Sequence, residues 1–222
     1  MTWKQLFTSS LGKKFLMGAT GFFLITYLIV HASINALIFF NDDGATFNTV
    51  AHFMLHNWIV RILEVGLFAG FILHIIQGLL LWKQNKTARV VKYAIQKYPR
   101  EIKWYSRYMG WLGTFILLFL VMHLYHFWGS TKHELYFNGP SVDLYQQMKE
   151  IFTNPVWFIL YMIGLASLLF HLLHGFQSAF QTFGINNRRW LPLVKGIGVF
   201  YSIVICLLFA SMPLAFMAGW LQ

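Results

Sequence analysis

Apolar residues in this chain gather in five long stretches: approximately Leu16–Phe40, Trp58–Trp82, Tyr108–Trp128, Pro155–Phe180 and Leu191–Trp220. A helix needs roughly 20 apolar residues to cross the hydrocarbon core of a bilayer, and each stretch reaches that length. The pattern predicts an all-α membrane protein with five spanning helices, segments I to V, forming one integral membrane domain over residues 1–222. Nothing in the connections reads as a low-complexity linker or a separate soluble domain. Pro155 suits the first turn of segment IV, where a missing N–H costs no helical bond. Pro213 lies inside segment V and is expected to kink or locally break it. Residues before segment I are polar and basic, and the run that follows exceeds signal-peptide length without a small-residue cleavage site. Segment I is therefore read as a retained span.

Composition agrees with that class: 58% of the residues are hydrophobic and 11% charged. The single Cys206 sits in an apolar run, so there is no disulfide framework and no cysteine-based metal or iron–sulfur site. The net charge of +10 raises the question of nucleic acid, but the placement of the charges answers it. Connections on the N-terminal side carry Lys4, Lys13, Lys14, Lys83, Lys86, Arg89, Lys92, Lys97, Arg100, Lys103, Arg107, Arg188, Arg189 and Lys195. The opposite side has only Arg61, Lys132 and Lys149, and it holds Asp42, Asp43, Glu134, Asp143 and Glu150. The positive-inside rule puts the N-terminus in the cytoplasm and the C-terminus outside. Topology thus explains the charge without nucleic acid. A basic cytoplasmic face is also a surface on which a soluble partner can dock.

Four histidines stand inside apolar runs: His31, His74, His123 and His171, on segments I to IV in turn. An ionisable residue at membrane depth is costly and marks a functional site. His31 lies 15 residues after Leu16 and His123 lies 15 after Tyr108, both on segments entering from the cytoplasm. His74 lies 16 residues after Trp58 and His171 lies 16 after Pro155, on segments entering from outside. Depth therefore pairs His31 with His123 in the outer half and His74 with His171 in the inner half. At about 1.5 Å per residue the two levels are roughly 10 Å apart, a separation suited to electron hopping. Two pairs of imidazoles are enough for two six-coordinate haems.

An internal repeat supports the pairing. Met17-Gly-Ala-Thr-Gly21 precedes His31 as Met109-Gly-Trp-Leu-Gly113 precedes His123, with Phe23 and Phe115 in register. Segments II and IV share His74-Ile-Ile-Gln-Gly78 and His171-Leu-Leu-His-Gly175. Gly78 and Gly175 lie one turn beyond their histidines on the same face. They either clear room for a flat macrocycle or allow close helix packing.

Other residues carry alternatives. His126 and His174 complete two His-x2-His pairs, but opposite helix directions separate them, which argues against a dinuclear metal site. They are expected to bond propionates, backbone or water beside the ligands, and to replace the ligands if the register is displaced by one turn. His52, His56 and His133 read as solvated surface residues. Glu64, near the outer surface on segment II, suits proton exchange at a quinone pocket or an ion pair with Arg61. Ser106 and Arg107, like Lys13 and Lys14, stand at the cytoplasmic mouths of segments, where cations pair with propionates or snorkel to lipid phosphates.

With these residues in place, the chain resembles the cytochrome b membrane anchor of succinate:quinone oxidoreductases (succinate dehydrogenases and fumarate reductases), of the single-subunit, five-helix, two-haem type. The resemblance runs from Gly12-Lys-Lys-Phe-Leu-Met17 to segment V. It is carried by Met17-Gly-x2-Gly21 to His31, His74-x3-Gly78, Ser106-Arg107 with His123-Leu-Tyr125, and His171-x3-Gly175. It implies the first four segments bundled around two stacked b haems, with His31 and His123 on the distal one and His74 and His171 on the proximal one. It favours His171 over His174 as ligand. It also implies a flavoprotein with covalent FAD and an iron–sulfur subunit docked on the cytoplasmic face of a bacterial cytoplasmic membrane. Electrons would then pass to a membrane quinone, usually menaquinone. Succinate chemistry would belong to the flavoprotein, since this chain has no dicarboxylate-handling constellation. Two other readings compete: a haem b anchor of a hydrogenase or formate dehydrogenase, and a transporter using its histidines as a relay. Against the latter, no broken-helix pair recurs in corresponding halves.

Overall fold

A computed structural model describes residues 7–40, 42–87, 103–139 and 142–221. Lys4, Arg89, Lys92, Lys97 and Arg100, part of the basic side read above, lie outside the described residues. The described chain is helical with no strand, and five of its helices are long and apolar enough to cross a membrane.

Helix α1 (Ser10–Asn35) continues as a 3₁₀ turn over Ala36–Phe40. It starts before the apolar run because Ser9 caps it: the Ser9 hydroxyl oxygen accepts from the Gly12 N–H at 3.0 Å. Helix α2 (Ala45–His56) is short, and α3 (Trp58–Thr87) outlasts segment II by the polar residues Lys83 to Thr87. After the single turn α4 (Trp104–Arg107), α5 (Met109–His123) widens into π-helical turns at Leu124–Gly129 and Glu134–Asn138, on either side of α6 (Ser130–His133). Helix α7 (Leu144–Phe152) is followed by α8 (Pro155–Thr182), capped by Asn154 with Pro155 in its first turn. Helix α9 (Leu191–Met217) ends the described core. Pro213 does not break α9 as expected. Its ring is fully buried, so packing holds the helix where one N–H is lost, and only a turn remains before the end.

Helices α1, α3, α5 and α8 form a ring in which α1 and α5 each pack against both α3 and α8. The two members of each diagonal, α1 with α5 and α3 with α8, therefore face one another across the interior. Helix α9 lies outside against α8 and α1, where the Tyr201 hydroxyl donates to the Ile25 carbonyl at 2.7 Å. Among the described residues every carboxylate lies at the end of the bundle away from the N-terminus, the far end.

At that far end α2 and α7, which apolar-run length does not reveal, close over the bundle. The Asn48 amide donates to Asp143 at 2.8 Å and accepts from the Tyr145 N–H at 3.1 Å. Beneath them Ile38, Phe47, Met148, Phe152, Met212 and Phe216 bury a common apolar cluster. This cap covers the mouth nearest His31 and His123.

Candidate functional site

The four mid-segment histidines meet two by two. The rings of His31 and His123 are 5.8 Å apart between centroids with planes at 86°, and those of His74 and His171 are 6.2 Å apart at 65°. Each pair spans one diagonal of the ring of helices. All four histidines are half-buried.

The Nδ1 edges differ. His74 Nδ1 lies 3.2 Å from the Thr20 hydroxyl, and His31 Nδ1 lies 3.3 Å from the Asn35 amide nitrogen. Nδ1 of His123 and Nδ1 of His171 are buried without a partner. Aromatic rings also flank the outer pair: Tyr27 stacks on His31 at 5.3 Å, and Phe119 on His123 at 5.8 Å.

The glycines divide into two kinds. A β-carbon on Gly70, Gly110, Gly164 or Gly198 would stand within 3.0 Å of an aromatic ring, so these four positions serve packing. Near the histidines the contacts are looser. A β-carbon on Gly78 would meet only the tip of Met17 at 3.4 Å, and one on Gly175 only the ring of His171 at 3.9 Å. On Gly21 it would meet the His74 ring at 3.6 Å, and on Gly113 nothing within 4 Å. Close packing does not account for this second set.

His126 and His174 do not enter the pairs. The first π-helical turn after His123 presents His126 to α8, where its Nδ1 lies 3.1 Å from the Tyr161 hydroxyl. The His126 carbonyl accepts from the Gln147 amide at 2.6 Å and from the Ser130 hydroxyl. At the other end of the bundle His174 Nδ1 lies 2.8 Å from the Ser106 hydroxyl, while Arg107 is exposed. Thus Ser106 engages His174. Lys13 is buried and Lys14 exposed at the start of α1.

Glu64 is a hub at the far end. It accepts from Arg61 at 2.8 Å, from the Trp128 indole N–H at 2.6 Å and pairs with Lys132 at 3.2 Å. The Arg61 partner weighed from the sequence is present, and two more lie beyond α5: Trp128 in its π-helical turn and Lys132 in α6. His52 and His56 are exposed and stacked on each other at 4.1 Å, and exposed His133 packs near Phe137.

Sequence reasoning missed Thr20, Asn35, Tyr161 and Gln77. Gln77 is 3% exposed, one turn from His74, with its side-chain oxygen unpartnered. Two of them left a trace in the repeats: Thr20 is polar where the second copy has Leu112, and Gln77 stands where the other copy of its pattern has His174.

Two imidazole nitrogens on one ion, at about 2.0 Å each, would put their ring centres about 6 Å apart, and both pairs have that separation. Among the described residues no three His, Cys, Asp or Glu side chains converge on a common point. Two imidazole rings at that separation suit an ion that brings its remaining ligands with it, as a porphyrin iron does. Gly21 and Gly175, where a β-carbon would meet only the His74 and His171 rings, fit the same flat group. The chain matches no protein-family profile, no curated protein and no solved structure.

Proposed function

We propose that this chain is a dihaem cytochrome b, the quinone-reactive membrane anchor of a succinate:quinone oxidoreductase of the single-subunit, five-helix type. The observation that carries the reading is the meeting of His31 with His123 and of His74 with His171 at separations suited to one ion each. Gly21 and Gly175, where a β-carbon would meet only the His74 and His171 rings, support it.

A haem b at each pair supplies a one-electron couple. The chain supplies ligands, orientation and exclusion of water. His31 and His123 hold the outer group, His74 and His171 the inner one. The apolar faces of α1, α3, α5 and α8 keep the interior at low dielectric, and the cap of α2 and α7 shields the outer pair. Glu64, held by Arg61, Lys132 and Trp128, is the carboxylate that exchanges protons with a quinone, menaquinone in this reading. Ser106, His174 and Arg107 stand beside the inner group at the cytoplasmic end.

The basic N-terminal side faces the cytoplasm of a bacterial cell by the positive-inside rule. It is the docking face for a flavoprotein carrying FAD and for an iron–sulfur subunit, which perform the succinate or fumarate chemistry. A haem assay with a dithionite-reduced minus oxidised spectrum tests the reading, on wild type beside His171→Ala and His123→Ala. Two low-spin b haems per chain are expected, with one lost in each variant. A colourless protein made with ample haem rejects the cytochrome. Co-purification with a covalent-flavin polypeptide separates this complex from hydrogenase or formate dehydrogenase anchors.

A further inference from the structure

Thr20 is buried on the face of α1 that looks across to α3. Its hydroxyl oxygen lies 2.8 Å from the Leu16 carbonyl oxygen, 3.3 Å from that of Met17 and 3.2 Å from His74 Nδ1. A hydroxyl has one proton, and a carbonyl oxygen can only accept. The short bond to Leu16 therefore takes that proton, and the lone pairs of the threonine oxygen face the imidazole. His74 Nδ1 must then be the donor. A neutral imidazole carries one N–H, so Nε2 keeps its lone pair. That is the tautomer able to bind a metal, with its other nitrogen held as ligating histidines usually are.

We infer that Thr20 is a positioning residue: its hydroxyl, committed to the Leu16 carbonyl, sets His74 in the Nδ1–H tautomer and presents Nε2 to the centre shared with His171. The inference rests on the dihaem reading for the identity of that centre, while the tautomer itself does not.

His31 is held in the opposite sense. The Asn35 amide nitrogen donates to the His31 carbonyl at 2.7 Å, which identifies it as nitrogen rather than oxygen, and it stands 3.3 Å from His31 Nδ1. An amide NH₂ only donates, so Nδ1 accepts and the ring proton belongs on Nε2. With Nδ1 of His123 and His171 unpartnered, His74 is the one ring of the four whose tautomer is preset for ligation. Loading the His31–His123 pair requires the Asn35 amide to turn away.

The test compares Thr20→Val, which keeps the shape and loses the hydroxyl, with Thr20→Ser, which keeps the hydroxyl, in the full chain. Haem content and a redox titration are read at the His74–His171 component, identified by its absence in His171→Ala. Thr20→Val should weaken haem retention there about tenfold or more and raise its midpoint potential, because the imidazole becomes less basic. Thr20→Ser should match wild type, and the other component should not move. An unchanged potential and retention in Thr20→Val overturn the inference. Imidazole ¹⁵N shifts of His74 in haem-free wild type, assigned by their loss in His74→Gln, give a second readout: an Nε2–H tautomer overturns it whatever the variants do. Wild type that takes up no haem defeats the dihaem reading alone and leaves the ¹⁵N result to judge Thr20.

Discussion

Phe119 of α5 occupies the place that a side chain on Gly164 of α8 would take: a β-carbon there would stand 2.3 Å from the ring. Bare backbone at Gly164 lets the ring lie within 24° of parallel to His123, one turn along α5, and edge-on to Tyr161 at 5.4 Å. Packing between two helices thereby fixes the attitude of a candidate ligand. Gly164→Ala is expected to cost about 2 kcal/mol through overpacking and to disturb the His31–His123 site, read by unfolding in detergent beside the difference spectrum. Gly175→Ala meets only its own histidine ring and should leave the haem-free fold as stable or, by helix propensity, up to about 1 kcal/mol more stable. It should nonetheless lower haem content at the His74–His171 pair. Equal stability losses in the two variants would show that both glycines serve packing.

The two diagonals make a prediction about pairs. His31→Ala and His123→Ala should remove the same spectral component, and His74→Ala and His171→Ala the other. The double variant His31→Ala/His123→Ala should be no worse than either single change, because one lost ligand already empties the site and such effects do not add. Spectra in which His31→Ala and His74→Ala remove the same component would reject the pairing.

Much of this arrangement is legible from residue order. Five apolar runs fix the number of spans, and distance along each run fixes the level of each histidine, because rise per residue in a helix is constant. The pairing by depth that follows is the pairing seen across the two diagonals. Less regular parts are not legible that way. The π-helical turns after His123 change the register that would place His126, so its bond to Tyr161 depends on a local geometry that periodicity cannot express. Helices α2 and α7 are too short to register as apolar runs, and what stabilises them is contact with each other and with the bundle. The partners of Thr20 and Ser106 are far away in sequence, 54 and 68 residues, where pattern along one helix says nothing.

Glu64 ties three donors together at 22% side-chain exposure. Glu64→Gln keeps the shape and the Trp128 bond but gives up both ion pairs, at a stability cost of about 1 kcal/mol. The haem spectrum should be unchanged. In the assembled complex, electron transfer to a menaquinone analogue should fall about 100-fold if the carboxylate moves protons for the quinone. A variant that loses stability yet keeps the wild-type rate assigns Glu64 to structure alone.

The cap over the far end has its own pH dependence. Asp42, at the turn into α2, accepts from the Thr46 hydroxyl at 2.5 Å and from the Thr46 N–H at 2.9 Å. These bonds, the hydroxyl first, hold its carboxyl below the ordinary range. A group depressed in the folded state lends stability above its unfolded value, about 3.9, and withdraws it as pH falls through the folded value. Gly44 completes the turn at φ +79°, where a β-carbon would also stand 2.2 Å from Tyr145, so no other residue substitutes there without opening the cap. Hydrogen exchange of α2 amides, corrected for intrinsic rates, should therefore be flat from about pH 7 to 5 and accelerate only below about pH 4. Asp42→Ala should exchange faster throughout and lose the acid step. Protection lost instead between about pH 7 and 5, above the range in which a depressed carboxyl takes up its proton, would remove Asp42 from the account.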